Sequence, residues 1–372
     1  MSDSHPDERV VWVEVQPRPY PVIIRPGGLD SLGALLAEHV KAHRAMIITD
    51  SNVGPLYADR AVASLKAAGF EPSVFTVEAG EGSKSLATAS RLYDALAAAK
   101  IDRACPAVSL GGGVVGDLTG FVAATWLRGI PFAQCSTTVE ANVDASVGGK
   151  TAVNHASGKN MVGAFYQPRF VLMDPEVLST LSRRDFVAGL AESIKHAVIR
   201  DAAFFDWHER HAEAIQAGQI ERLPELLERN VRIKADIVSQ DEREVTGVRA
   251  LLNFGHTIGH AIESAMARRG QAWRHGEAVA TGMIAAAEMS VASGRLDRAS
   301  AQRIAAVVER TGLPVDAPLA DAREELMTLM HADKKVAAGQ LRFVLADEIG
   351  RAGLYGGIEL AWVEAGLDRV LR

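Results

Sequence analysis

Short apolar runs, each followed by a stretch with helical spacing, fill the first half of the chain. The runs VWVEV, YPVIIRP, RAMIITD, PSVFTV and PAVSL read as strands, and amphipathic stretches near 56–68 and 87–99 read as helices between them. Strand, helix and strand in succession predict a parallel sheet. From about Leu178 onward the strand signals fade. Long alanine-rich helical patterns take over, with a last β-like run at LRFVLA. The pattern therefore predicts an α/β domain over residues 1–178, then a mainly α-helical domain over 179–372, with the boundary between Asp174 and Ser182.

The loops after the strands carry glycine and short polar residues: ITDSN, VEAGEGSKS and SLGGGVVGD. Ligands of open α/β sheets sit at these carboxyl ends. The segment GGGVVGD, residues 111–117, follows an apolar strand and opens a helix, where backbone amides can hold a pyrophosphate. GEGSK at 80–84 adds a carboxylate and an ammonium, and Thr137 and Thr138 add hydroxyls after another strand. Several such loops together point to a dinucleotide.

Two further stretches concentrate chemistry. In LLNFGHTIGHAIE, residues 251–263, His256 and His260 lie four apart on one helix face, which suits a metal or a proton relay. A metal site needs further ligands. His275 in RHGE is one candidate, and Glu192 in GLAESIKHAVI, with Lys195 three residues on, is the best acidic one. Gly255 and Gly259 interrupt this helix at a cost of about 1 kcal/mol each, implying close approach of a ligand or another helix. In VDASVGGKTAVNHASGKNMVGAFYQP, residues 143–168, Lys150 and Lys159 each follow a glycine, and Asn154 and Asn160 add amide donors, a composition that holds phosphate. Arg128, Lys195, Lys234, Arg249, Lys334 and Lys335 are further cations whose convergence spacing cannot establish.

Composition narrows the options. The 372 residues are 48% hydrophobic and 23% charged, enough to bury two domain cores. A net charge of −6 and a pI near 6.0 argue against a nucleic-acid partner. The polar N-terminus has no secretory h-region, and the longest apolar helical stretch is too short and polar for a bilayer, so the expected location is cytoplasmic. Cys105 and Cys135 each lie in a short apolar run and read as packing residues.

These motifs taken together closely resemble the 3-dehydroquinate synthases, the shikimate-pathway members of the sugar phosphate cyclases. The resemblance is nearly full length. It runs from ITDSN and GEGSK through LGGGVVGDLTGF, TTVEANVDASVGGKTAVNHASGKNMVGAFYQP, AGLAESIKHAVI, REVTGVRALLNFGHTIGHAIE and HGEAVATGM to HADKK. It implies a Rossmann-like N-terminal domain, a helical C-terminal domain, a site in the cleft between them and a homodimer. It implies NAD and zinc, or cobalt, as cofactors and a small phosphorylated sugar acid as substrate. Glu192, His256 and His275 would be the metal ligands, and His260 a catalytic histidine near the substrate phosphate. Asp144, Lys150, Lys195, Lys234, Arg249, Asn253 and one or both of Lys334 and Lys335 would line the substrate, with Asn160 on its phosphate and Arg128 reaching across the dimer. Asp50, Asn52, Gly80, Glu81, Lys84, Gly113, Val114, Val115, Gly116, Asp117, Thr137, Thr138, Lys150, Lys159 and Thr180 would contact NAD.

The family's reaction oxidises carbon 5 of 3-deoxy-D-arabino-heptulosonate 7-phosphate, eliminates phosphate, reverses the oxidation and closes a ring by an aldol step. Departures from the family pattern fall at Ser136, Glu140, Asn142 and Ser182. Cyclases that make valiolones or deoxy-inosose typically lose the GGKT pattern and the asparagine before FGH, whereas Gly148, Gly149, Lys150 and Asn253 are present here. Aminodehydroquinate synthases are harder to separate. Polyol dehydrogenases that use a metal and NAD would not need the phosphate-binding set, and a silent scaffold would need none of it.

Overall fold

The computed structural model describes residues 7–334 and 342–372. The chain opens with strands β1 (Arg9–Val13) and β2 (Tyr20–Ile24), then alternates α1 (Leu32–His39), β3 (Arg44–Asp50), α2 (Gly54–Ala67), β4 (Glu71–Val77), α3 (Leu86–Ala98), β5 (Ala107–Gly111), α4 (Gly113–Thr125) and β6 (Phe132–Ser136). A hairpin of β7 (Lys150–His155) and β8 (Gly158–Phe165) and a short β9 (Val171–Met173) follow. Seven strands form one sheet in the order β1-β2-β9-β6-β5-β3-β4.

Pairing is parallel from β4 across to β2, because each return runs through a crossover. The expected parallel sheet is present, with one antiparallel strand added at its edge: β1 pairs antiparallel with β2, since the short link between them leaves no room for a crossover. The sheet is packed on both faces. Leu36, Ala61 and Leu65 of α1 and α2 cluster with Val108 and Leu110, while Leu92, Leu96, Leu118 and Val122 of α3 and α4 cluster with Ile48 and Ala107. Burial on both faces explains the mainly apolar run of β5; β6 is equally buried although it carries Gln134 and Ser136. Cys135 packs within β6, while Cys105 is buried in the bend before β5 and not within a strand.

The later chain forms α5 (Arg183–Arg200), α6 (Ala202–Gln216), α7 (Leu223–Gln240), α8 (His256–Arg268), α9 (His275–Ala292), α10 (Arg298–Arg310) and α11 (Arg323–Lys334). An antiparallel pair, β10 (Phe343–Glu348) and β11 (Arg351–Tyr355), precedes α12 (Leu360–Val370). LRFVLA is therefore not the last β segment. RAGLY joins it as a strand that shows no alternation in sequence.

The chain divides into two compact units, Met1–Leu181 with Leu223–Arg243, and Ser182–Arg222 with Glu244–Arg372. A single cut after residue 178 does not describe this division, because α7 belongs with the sheet. It packs against β1, Arg9 pairs with Glu228, and Ser239 accepts a hydrogen bond from the Glu14 amide at 3.2 Å. Among the described residues no helix is long and apolar enough to cross a membrane.

Candidate active site

In the helical unit, glycine contacts bring three helices close enough to share one site. A Cβ on Gly259 of α8 would lie 3.0 Å from the Ala278 carbonyl oxygen of α9, and one on Gly282 would lie 2.7 Å from the Gly259 amide nitrogen. A Cβ on Gly276, at the start of α9, would overlap the Ala188 carbonyl of α5. The close approach at Gly259 is thus to another helix. Gly255 differs from expectation: it caps α8 at φ 79° and does not interrupt its interior, and it takes a left-handed conformation that glycine adopts at little cost.

This packing places Glu192 on α5, His256 and His260 on α8, and His275 at the first position of α9 around one point. The ring centroids lie 5.3 Å (His256–His260), 5.4 Å (His256–His275) and 5.6 Å (His260–His275) apart, and ligand atoms of the three rings fall within 4.8 Å of one another. Glu192 Oε1 lies 3.4 Å from His256 Nε2 and 3.4 Å from His275 Nε2. Ligands about 2.0–2.1 Å from a tetrahedral zinc stand about 3.3–3.4 Å apart, and both contacts of this carboxylate oxygen match that spacing.

The remaining ring nitrogens are anchored. His256 Nδ1 faces the Phe254 carbonyl oxygen at 3.2 Å, and His275 Nδ1 faces Glu263 Oε2 at 3.2 Å. With Nδ1–H donating in both rings, both Nε2 lone pairs turn toward Glu192 Oε1.

The electrostatics suit a cation. Burial opposes ionisation of Glu192, yet the ammonium of Lys195, which pairs with it, and the neighbouring His256 hold its carboxyl well below the usual range. Burial pushes His256 down despite the pull of Glu192, favouring the neutral ring a metal requires. In the same unit Arg249 is buried and Asn253 exposed, on the 3-10 turn Arg249–Asn253 that leads into α8. Lys334 ends α11, its side chain beyond what is described, and Lys335 lies outside the described residues.

The sheet unit gathers a second set at its strand ends. Gly113, Val114, Val115 and Gly116 form the first turn of α4 directly after β5, as the glycine motif implied. The Thr137 amide donates to the Gly111 carbonyl at 3.0 Å, and Thr138 Oγ1 accepts from the Ala141 amide at 3.2 Å. Lys84 Nζ meets Asp117 Oδ2 at 2.6 Å, with side chains 6% and 20% exposed. Burial raises the Asp117 carboxyl to about 6 against the pull of Lys84. Asp50 ends β3 and accepts from the amides of Asn52 and Val53, so it shapes its own loop. Gly80 sits at φ 108° before the turn that carries Glu81, and the Thr180 hydroxyl bonds that of Tyr57 at 2.8 Å.

Residues 150–165 are a hairpin, where the sequence suggested a phosphate-holding loop. Lys150, Lys159 and Asn160 all stand exposed on it, Asn160 at φ 58°. Asn154 ties this hairpin to the 80–84 loop: its amide donates to the Lys84 carbonyl at 2.8 Å, its Nδ2 to Glu81 Oε1 at 2.7 Å, and its Oδ1 accepts from the Asn160 amide at 2.8 Å. Lys234 on α7 pairs with Asp144 Oδ1 at 2.8 Å, and Arg128 is exposed at φ 68° after a turn. Asn154, expected as a phosphate donor, bonds to the protein itself, and Glu263 is a contact that the sequence reading left out. For Glu263 the signal was available, because it lies three residues after His260 on the same helix face.

Family models for the N-terminal and C-terminal parts of 3-dehydroquinate synthase match residues 74–188 and 189–336. The 3-dehydroquinate synthase of Desulforamulus reducens is 45% identical over 96% of this chain and 99% of its own length. Among solved structures, a 2-epi-5-epi-valiolone synthase from Streptomyces hygroscopicus with NAD+ and Zn2+ bound superposes with a TM-score of 0.86 at 28% identity, covering 95% of this chain and 97% of that one. A 2-deoxy-scyllo-inosose synthase complexed with carbaglucose-6-phosphate, NAD+ and Co2+ gives 0.87 at 25% identity, covering 97% and 100%.

Proposed function

The chain belongs to the 3-dehydroquinate synthase family, and from that premise we propose that it converts 3-deoxy-D-arabino-heptulosonate 7-phosphate to 3-dehydroquinate and phosphate. The observation that carries the reading is the Glu192, His256 and His275 cluster, spaced for one tetrahedral ion with both rings anchored at Nδ1. Retention of Gly148, Gly149, Lys150 and Asn253 favours this substrate over those of the valiolone and inosose cyclases.

Glu192, His256 and His275 hold the metal, zinc or cobalt, and Lys195 balances the charge of Glu192. Zinc bound there supplies Lewis-acid polarisation of a substrate hydroxyl. NAD, held by the strand-end loops with Glu81, Lys84, Asp117, Thr137 and Thr138, supplies a reversible hydride acceptor. Oxidation at carbon 5 acidifies the proton on carbon 6, so phosphate can leave. The oxidation is then reversed, and an intramolecular aldol step closes the carbocycle.

The protein's own groups serve mainly to position a substrate carrying both a carboxylate and a phosphate and to stabilise developing charge. Lys150, Asn160, Lys234 and Arg249 supply cations and an amide donor for the carboxylate and phosphate, and His260 is the catalytic histidine near the phosphate. Asp144 sets the direction of Lys234. A homodimer in which Arg128 reaches the neighbouring subunit's substrate, in the cytoplasm, completes the proposal.

The test follows phosphate release and dehydroquinate formation by metal-loaded enzyme with NAD, while absorbance reports NADH. Product with NAD unchanged and no NADH build-up is expected. Net NADH accumulation without phosphate release would overturn the reading in favour of polyol oxidation.

A further inference from the structure

We propose that Glu263 is a positioning residue for the metal centre, fixing the tautomer and orientation of His275. The inference rests on His275 being a metal ligand. Glu263 follows His256 by seven residues and His260 by three, so it shares their face of α8. Its side chain is 20% exposed, and its Oε2 lies 3.2 Å from His275 Nδ1 while His275 Nε2 faces Glu192 Oε1 at 3.4 Å. A carboxylate at that place accepts the Nδ1 proton and leaves the Nε2 lone pair for the ion. It also makes the ring a stronger donor than a neutral acceptor would.

The two histidine ligands are therefore held differently. His256 leans on the Phe254 backbone carbonyl, an acceptor no side-chain substitution removes. His275 depends on a side chain reaching from another helix. His275 opens α9 next to Gly276, whose close approach to Ala188 fixes the helix backbone, so the orientation of the ring is set by what its side chain meets. Glu263 is the carboxylate that meets its Nδ1.

The test is competition for Zn2+ between a chromophoric chelator and the full-length protein as wild type, Glu263→Gln, Glu263→Ala and His275→Ala. The visible spectrum of the Co2+-loaded forms serves as a second readout. Glu263→Ala should weaken zinc affinity on the order of 10–100-fold and alter the Co2+ bands. Glu263→Gln keeps an acceptor without the charge and should fall between wild type and Glu263→Ala. His275→Ala should retain least. Wild-type zinc affinity and Co2+ bands in Glu263→Ala, beside loss in His275→Ala, would refute the role of Glu263 and leave the ligand assignment standing. Zinc retained by His275→Ala would refute the assignment itself. If Glu263→Ala fails to fold, a Glu263→Gln protein indistinguishable from wild type in both readouts is the refuting result.

Discussion

In the helical unit the chemical groups ride on long helices pressed together at Gly259, Gly276 and Gly282, with Glu192 and Lys195 each 1% exposed. In the sheet unit they ride on turns and a hairpin, where Glu81, Lys150, Lys159 and Asn160 face solvent. The helical unit thus holds its proposed metal ligands in place without an ion, an arrangement that suits a cation demanding one geometry. The sheet unit instead satisfies its polar groups among themselves, through the Lys84–Asp117 ion pair and the Asn154–Glu81 hydrogen bond. A dinucleotide binding there competes for groups already in use.

Substitutions at glycine give the sharpest contrast between the two. Gly276→Ala would drive a Cβ into the Ala188 carbonyl and should cost about 3 kcal/mol or more in urea unfolding. Gly82→Ala, on the 80–84 loop with nothing within 4 Å, should stay within about 0.5 kcal/mol. Equal effects at the two positions would remove the distinction between a packed centre and an open loop.

Lys84→Met leaves Asp117 without its cation and should cost about 3 kcal/mol near neutral pH. The pH dependence has a definite sign. Folding raises the Asp117 carboxyl from 3.8 to about 6, so the folded state holds a proton that the unfolded state has released. This group's contribution to stability therefore falls as pH rises through that window and is lowest above it. Without Lys84 the carboxyl rises further, and the deficit of the variant should be larger at pH 8 than at pH 5. A pH-independent deficit would show that Lys84 acts through packing alone.

A smaller effect of opposite sign is expected at Asn142. It is fully buried, and neither side-chain polar atom finds a hydrogen-bond partner among the described residues. Asn142→Val should raise stability by about 1–2 kcal/mol in thermal unfolding, because it removes an unmet desolvation cost. A destabilised variant would indicate that the amide is satisfied in solution.

The same contrast governs what could be read from sequence. The strands β3 and β5 were legible because burial on both faces writes apolar runs, β4 because Val74, Phe75, Thr76 and Val77 favour strands although only Val77 is buried, and the turn into α4 because glycines follow β5. The clustering of Glu192, His256 and His275 was partly legible: the pair at 256 and 260 follows from helical spacing, but its meeting with α5 and α9 depends on glycine contacts far apart in sequence. The hairpin at 150–165 was hidden because glycine, lysine and asparagine read as an anion loop. Asn154, where its pairing becomes irregular, turns to the 80–84 loop instead. The attachment of α7 to the sheet unit was hidden too, since an amphipathic helix does not say which surface it covers.

The most direct test of the metal centre is the zinc content of purified wild type, Glu192→Gln, His256→Ala, His275→Ala and His260→Ala, each confirmed folded. The account predicts about one zinc per chain in wild type and in His260→Ala, and loss in the other three. Loss of zinc from His260→Ala with retention in Glu192→Gln would contradict it, making the centre a three-histidine site in which the carboxylate plays no direct part.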